Sequence, residues 1–329
     1  MEQMKKHNRR GNPIVLIVIL ILVPVFILSG LQFLESTGLL RGPQDQPVKS
    51  NSICWNGTEY MPRLDLTVIL LAGIDETGKM ESSGSYNNPG EADMVALLVF
   101  DKTNKKMDVI TLNRDTMMEI PVLGVTGQTA GTKTAQLALA HTYGTGLRDS
   151  SRNLSKAVSQ FLCDVNINYY ITLRMDAIGM INDAVGGVEV DITEDFSAID
   201  PSMTGKIKLN AQQAQLYIQS RRGVGDELNL SRMQRQDKYM RGFMSALLEK
   251  IGEDENFVTN MMGDAALADY MLTDCSAQTI ASLCKQFKDY EMGDIVTFQG
   301  TNKVGEYMEF HVTEDQKYEV VMKYLYAPR

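Results

Sequence analysis

Short, continuous apolar runs alternate along this chain with stretches whose apolar residues recur at helical spacing. Leu64–Ile74 is almost wholly apolar and ends in Gly73-Ile74-Asp75. Met94–Phe100 repeats the pattern, and Met107–Leu112 follows after a Lys-rich turn. Runs of this length, bounded by turn residues, predict buried strands, the second and third forming a hairpin. Thr134–Tyr143 and Leu154–Cys163 have the spacing of helices, and Tyr169–Leu173 reads as a strand. Asp176 is placed to cap a helix through Val185, which Gly186-Gly187 ends before a strand over Val188–Ile192. Asn210 and Gln213 stand as a capping box that opens a helix over Ala211–Gln219. An Arg-rich loop at 221–230 leads into a long helix from Ser231. Two further helices, strands near Ile295–Phe298 and Tyr307–Val312, and a closing helix to Tyr326 complete the pattern. Strands interleaved with helices predict an α/β domain whose central mixed sheet is flanked by helices on both faces.

The N-terminal pattern is different. Residues 1–10 carry Lys5, Lys6, Arg9 and Arg10, and no charge appears from Gly11 to Leu34. An uncharged run of this length spans a hydrocarbon core of ~30 Å. The basic flank places residues 1–10 in the cytoplasm and sends the rest of the chain outside. Ser29-Gly30-Leu31 makes a poor cleavage site, so residues 11–34 read as an uncleaved transmembrane anchor. Residues 35–62, rich in Pro, Gly, Ser and Asn, read as an extracytoplasmic linker, and residues 63–329 as one folded domain.

The net charge of −9 argues against nucleic acid as a partner, so any bound anion must be met by a local basic cluster. Cys54, Cys163, Cys275 and Cys284 show no C-x-x-C spacing. His7, His141 and His311 are dispersed, and structural roles fit the latter two better than metal ligation.

Ser231-Arg232-Met233-Gln234-Arg235-Gln236 carries the most specific chemistry. Ser231 is placed to cap the helix, with Arg232, Arg235 and Gln236 on one face of its first turn. Cations are disfavoured at a helix N-terminus unless an anion, most often phosphate, sits in front of it. Arg221 and Arg222 lie upstream within reach of the same cluster. Asp75 closes the first strand and Asp93 opens the second, so both carboxylates reach one point and suit a hard divalent cation. Arg114 and Asp115 close the third strand. Taken singly, each has an ordinary alternative: arginines pair with surface acids, and aspartates cap turns. Taken together they indicate a metal-assisted phosphate or pyrophosphate site.

The apolar strand ending Gly73-x-Asp75, Asp93 before a strand, Arg114-Asp115-Thr116, Val185-Gly186-Gly187-Val188 and Arg232-x-x-Arg235-Gln236 occur in this order after an anchor. The chain thereby resembles the LytR-CpsA-Psr (LCP) family of Gram-positive cell-wall enzymes over roughly residues 64–329. The resemblance implies a sheet flanked by helices with an apolar channel for a lipid tail. It also implies a phosphotransferase that moves glycopolymers from a polyprenyl-pyrophosphate carrier at the membrane to peptidoglycan. Carried over by position, Asp75 and Asp93 match the Mg²⁺ (or Mn²⁺) aspartates. Arg114, Arg221, Arg232 and Gln236 match pyrophosphate-binding positions, with Arg222 and Arg235 beside them. The family usually has Arg where Glu76 and Gln219 stand, Arg-Ser/Thr at Glu91-Ala92, and Pro at Asn113. Its acid before the helix arginine is Asn229 here, with Asp226 the nearest carboxylate, and Asp226 joins Arg114, Arg221 and Arg232 in the expected catalytic set. These departures leave open a non-catalytic wall-polymer or carrier-binding homologue, and a lipid-pyrophosphate pyrophosphatase using water as acceptor.

Overall fold

The computed structural model describes residues 52–220, 222–224, 229–254, 257, 261, 265–275, 290–305 and 307–329. The expected cytoplasmic tail and anchor, together with Arg221, Asp226 and Cys284, lie outside these residues. Among the described residues no helix is long and apolar enough to cross a membrane.

Fifteen strands are described. They are β1 (Ile53–Trp55), β2 (Thr58–Pro62), β3 (Leu66–Ile74), β4 (Ala92–Asp101), β5 (Lys106–Leu112), β6 (Met117–Leu123), β7 (Thr129–Gln136), β8 (Tyr169–Arg174), β9 (Val188–Ile192), β10 (Gly205–Leu209), β11 (Met271–Thr273), β12 (Glu291–Thr297), β13 (Thr301–Val304), β14 (Met308–His311) and β15 (Tyr326–Pro328). The helices are α1 (Arg148–Phe161), α2 (Asp176–Ala184), α3 (Ala211–Gln219), α4 (Asn229–Glu253), α5 (Ala265–Ala268) and α6 (Glu314–Tyr324).

Six strands form the central sheet in the order β11-β8-β3-β4-β5-β12. β3 runs parallel to β8 and antiparallel to β4, and β5 runs antiparallel to β4 and parallel to β12, so the sheet is mixed. The inner strands β3, β4 and β5 are buried on both faces, which is why they read as continuous apolar runs. Ile69 and Leu71 face a core shared with Ala177 and Ile181 of α2, Ala214 and Tyr217 of α3, and Tyr239 and Phe243 of α4. Val68, Leu70, Ala72 and Ile74 face the opposite core, with Leu154 and Val158 of α1 and Val321 and Met322 of α6. The three-layer expectation holds, as do the β4–β5 hairpin and the capping box of α3, where Asn210 Oδ1 accepts the Gln213 N–H at 2.9 Å.

Four expectations need correction. Residues 134–143 are not a helix: β7 continues through Gln136 in register with β6, and only one 3-10 turn, Leu137–Ala140, follows. The folded unit begins before residue 63, because β2 pairs with β1 and with β15 at the other end of the domain. α4 starts at Asn229, so Ser231 stands inside the helix instead of capping it. Asp176 lies in the first turn of α2 without capping it, its carboxylate accepting the Gly78 N–H at 2.5 Å.

Candidate functional site

The site grows from the ends of β3, β4, β5 and β8. Arg114 follows β5 in a turn that Asn113 organises. Its Oδ1 accepts the Asp115 N–H at 2.9 Å and its carbonyl accepts the Thr116 N–H at 3.0 Å. A side-chain turn of this kind supplies the fixed geometry that proline would otherwise impose. The turn is held on both sides, as the Arg114 carbonyl accepts the Ala138 N–H and the Asp115 carbonyl accepts the Phe310 N–H.

Asp93 is aimed by a β-bulge. Gly73 pairs with Met94 but Ile74 pairs with Ala92, which leaves Asp93 as the extra residue. Strict alternation back from Val95 would put residue 93 on the face of Val95. The extra residue gives that face to Ala92 and sends the Asp93 carboxylate toward α4, a common use of bulges beside functional sites. There, Arg232, in the first turn of α4 and 4% exposed, donates from Nη1 to Asp93 Oδ2 at 2.5 Å. Arg114 pairs with Asp93 Oδ1 through Nη1 and with Glu91 through Nη2, and its Nε lies 3.4 Å from Asp115 Oδ1. Two guanidiniums and three carboxylates, contributed by β4 and the residue before it, the turn after β5 and α4, thus form one cluster.

A second ion pair lies beside it and was missed from the sequence. Arg174, the last residue of β8 and paired in register with Ile74, holds Glu76 at 2.8 Å and the Thr77 carbonyl at 3.0 Å. The rule that strand ends carry chemistry would have found it, since the predicted strand stopped one residue short. The segment between β3 and β4 is pinned by buried Asn88. Its Nδ2 donates to the His141 and Gly144 carbonyls, and its Oδ1 accepts the Gly90 N–H at 2.9 Å. Gly90 passes so close to β3 that a Cβ would sit 2.8 Å from the Ile74 methyl. His141, 1% exposed, lies with Nδ1 2.8 Å from the Gly90 carbonyl, and burial pushes its pKa down to about 4. The structural role expected of His141 is the one it has.

The remaining sequence-predicted residues divide. Asp75 is exposed at the end of β3, with its backbone N–H on the Glu91 carbonyl at 2.9 Å, so it borders the cluster. Arg235 and Gln236 do not join it. Arg235 is 1% exposed and donates to the Tyr217 and Ser220 carbonyls at the end of α3, with its guanidinium over the Phe196 ring. Gln236 donates to the Ile218 carbonyl at 3.3 Å. Both tie α4 to α3, because orphan carbonyls at a helix C-terminus draw cationic and amide donors. Arg222 is exposed in the turn after α3.

Among the described residues, no group of three or more His, Cys, Asp or Glu side chains is arranged to hold a metal ion. Mg²⁺ usually takes one or two carboxylates and completes its shell with water and substrate phosphate, so Asp93 and the bordering Asp75 are the residues that would hold one. The Asp93 oxygens already face Arg114 and Arg232, so the fit needs an incoming anion to draw off one guanidinium.

A family model, LytR_cpsA_psr, matches residues 45–325. The chain belongs to this family. Among its LytR-CpsA-Psr relatives is the polyisoprenyl-teichoic acid--peptidoglycan teichoic acid transferase TagU of Bacillus cereus strain AH820. It is 28% identical over 74% of this chain and 72% of its own length. TagU of Enterococcus faecalis is 26% identical over 67% of this chain and 65% of its own. The chain spans 58% of the Bacillus anthracis TagU. Solved structures share the fold: Bacillus subtilis TagV has a TM-score of 0.59 at 18% identity, covering 80% of this chain and 98% of its own. The structure of TagT bound to LIIa-WTA gives 0.58 at 18% identity, covering 80% and 91%.

Proposed function

We propose that this chain transfers a glycopolymer from a polyprenyl-pyrophosphate carrier to a peptidoglycan hydroxyl. The observation that carries the reading is the convergence of Arg114 and Arg232 on buried Asp93 at one end of the sheet. Two guanidiniums reaching one point from a strand end and a helix start form a preorganised seat for a pyrophosphate, and α4 adds the favourable end of its dipole. In the reaction the acceptor hydroxyl attacks the glycan-linked phosphorus and gives up its proton. The bond to the bridging oxygen breaks, a phosphodiester forms, and polyprenyl phosphate leaves. Arg114 and Arg232 stabilise the charge that grows on the leaving phosphate. Arg221 and Arg222 join the basic set, and Asp226, a carboxylate shortly before position 229 in sequence, takes the acceptor proton. Asp75 and Asp93 are the residues that would hold Mg²⁺ or Mn²⁺, which when bound neutralises phosphate oxygens.

An uncleaved helix over residues 11–34 holds the domain on the outer face of the membrane, where carrier and wall meet. Protease added to intact protoplasts should digest the domain, and its protection would overturn that topology. Transfer is tested with the full chain in detergent, a polyprenyl-pyrophosphate glycan and a peptidoglycan acceptor, by following release of polyprenyl phosphate. Arg114→Ala and Arg232→Ala should each lower transfer by roughly 10²–10³-fold, the cost of removing one transition-state donor. Lysine at either position should restore only part, because it lacks the planar fork. Unchanged transfer in both Ala variants would sink the assignment.

One observation favours a binding role instead: Arg114 is already faced by Glu91, Asp93 and Asp115. Carrier binding without transfer or phosphate release would establish that reading. Phosphate release without an acceptor would establish a pyrophosphatase.

A further inference from the structure

The outer face of α1 carries a row of cations that nothing in the site uses. Arg148, Arg152 and Lys156 stand four residues apart, with Gln160 as the next member, and all four are exposed. Successive members rise by about 6 Å along the helix. Among the described residues none of the three cations lies in an ion pair with a carboxylate. Lys156 instead donates to Thr129 Oγ1 on β7 at 3.2 Å, and β7 adds the exposed Lys133. The carboxylates nearby are engaged elsewhere. Asp149 accepts the Thr145 N–H and hydroxyl at 2.8 and 2.7 Å, and Asp274 accepts the Tyr170 N–H at 2.9 Å. Asp274 is itself exposed, and Arg148 and Arg152 act on its carboxylate through space without an ion-pair contact.

This arrangement runs against helix stability twice. Like charges at i,i+4 repel, and Arg148 stands in the first turn, where the helix dipole disfavours a cation. In a chain of net charge −9, a row of exposed cations that form no ion pair among the described residues is a local inversion of the protein's field. It also starts beside the site: Asn88 donates to Ser150 Oγ in the first turn of α1 at 3.0 Å and holds Gly90, next to the Arg114 partner Glu91.

We propose that the Arg148–Arg152–Lys156 face, with Lys133, is a docking surface for a phosphodiester wall polymer, a polyol-phosphate chain that runs past the transfer site. The regular spacing of the cations suits a ligand with regularly repeated single negative charges better than one compact anion. The inference rests on the glycopolymer reading above, but its own test does not depend on transfer.

The test uses the full chain in detergent and three probes: purified polyol-phosphate teichoic acid, a neutral dextran of the same length, and phosphatidylglycerol nanodiscs. Arg148→Gln/Arg152→Gln/Lys156→Gln removes the charges while keeping good helix formers, so its melting temperature should not fall. A control, Lys102→Gln/Lys105→Gln, removes two exposed cations from the β4–β5 turn. Wild type should bind the polymer and not the dextran. The triple variant should bind it roughly tenfold to a hundredfold more weakly, and the dependence of log affinity on log salt should flatten by about 2. The control should change little. Transfer from a donor carrying only a short neutral glycan should be unchanged in the triple variant.

Polymer affinity within twofold of wild type in the triple variant, an equal loss in the control, or wild-type binding to nanodiscs but not to polymer would overturn the proposal. Polymer binding that depends on the three residues, with no transfer by wild type, would support the surface and refute the transferase reading.

Discussion

Asp75 and Asp93 are paired by sequence as metal ligands, yet the structure gives them opposite weights in stability, and Asp93→Ala exposes the difference. Its carboxylate pairs with Arg232, a side chain 4% exposed in the first turn of α4. Removing it takes from the buried Arg232 guanidinium the carboxylate that its Nη1 reaches, while Arg114 keeps Glu91 and Asp115. Breaking a buried pair from one side costs about 3–5 kcal/mol, because the other charge stays desolvated. For a domain of this size each kcal/mol moves the melting temperature by roughly 2–4 °C, so Asp93→Ala should melt about 10 °C lower. Asp75→Ala removes an exposed carboxylate at a strand end and should stay within about 0.5 kcal/mol of wild type. Asp93→Ala/Arg232→Met removes both charges and should regain most of the loss, since replacing a whole buried pair by apolar groups is often neutral. Thermal melts followed by circular dichroism on the full chain read all three. If Asp93→Ala melts with Asp75→Ala, or the double variant melts no higher than Asp93→Ala, the ion pair is not what holds α4 to the sheet.

Three other outcomes follow from the same geometry. His141 has its pKa pushed down to about 4 by burial, so between about pH 6.5 and 4 the unfolded chain takes up a proton that the folded one refuses. Stability should therefore rise by about 3 kcal/mol from pH 4 to 6.5 on its account, and urea titrations of His141→Gln should show a flatter pH profile than wild type; an unchanged profile would refute the assignment. Arg235→Met should lower stability by about 2–4 kcal/mol by orphaning the Tyr217 and Ser220 carbonyls, and leave the KM for carrier unchanged; a raised KM at unchanged stability would return Arg235 to the ligand site. Glu91→Gln should tighten carrier binding by about threefold to fivefold, because a half-exposed pair holds Arg114 with at most about 1 kcal/mol; weaker binding would make Glu91 a ligand-holding residue.

How far the sequence was legible depends on burial. β3, β4 and β5 were found because both their faces are covered, which writes a long apolar run into the chain. The first six residues of β7 are exposed, so the strand carries neither run nor alternation, and Leu137, Ala138 and Ala140 mimicked a helix by their spacing alone. Among the site residues, Arg114, Asp93 and Arg232 were legible as types at strand and helix ends. Their mutual contact was not, since the Asp93 bulge and a partner 139 residues away leave no local pattern. Arg235 and Gln236 were misplaced because sharing a first-turn face says nothing about what that face packs against. Here it packs against the open carbonyls of α3.

The two glutamates that stand where the family usually has arginine are not equivalent once folded. Glu76 is met by Arg174 from the end of β8, so its charge is cancelled by a residue outside the cluster, and the pair lies against Gly90 beneath the loop. Glu91 is met by Arg114 itself. The first inversion therefore leaves the site's own guanidiniums untouched, whereas the second draws on one of them. On the proposed function, an incoming pyrophosphate would compete with Glu91 for Arg114 but would have no such competitor in Glu76. The two sequence departures look alike in the chain, and the fold pairs one with Arg174 outside the cluster and the other with Arg114 inside it.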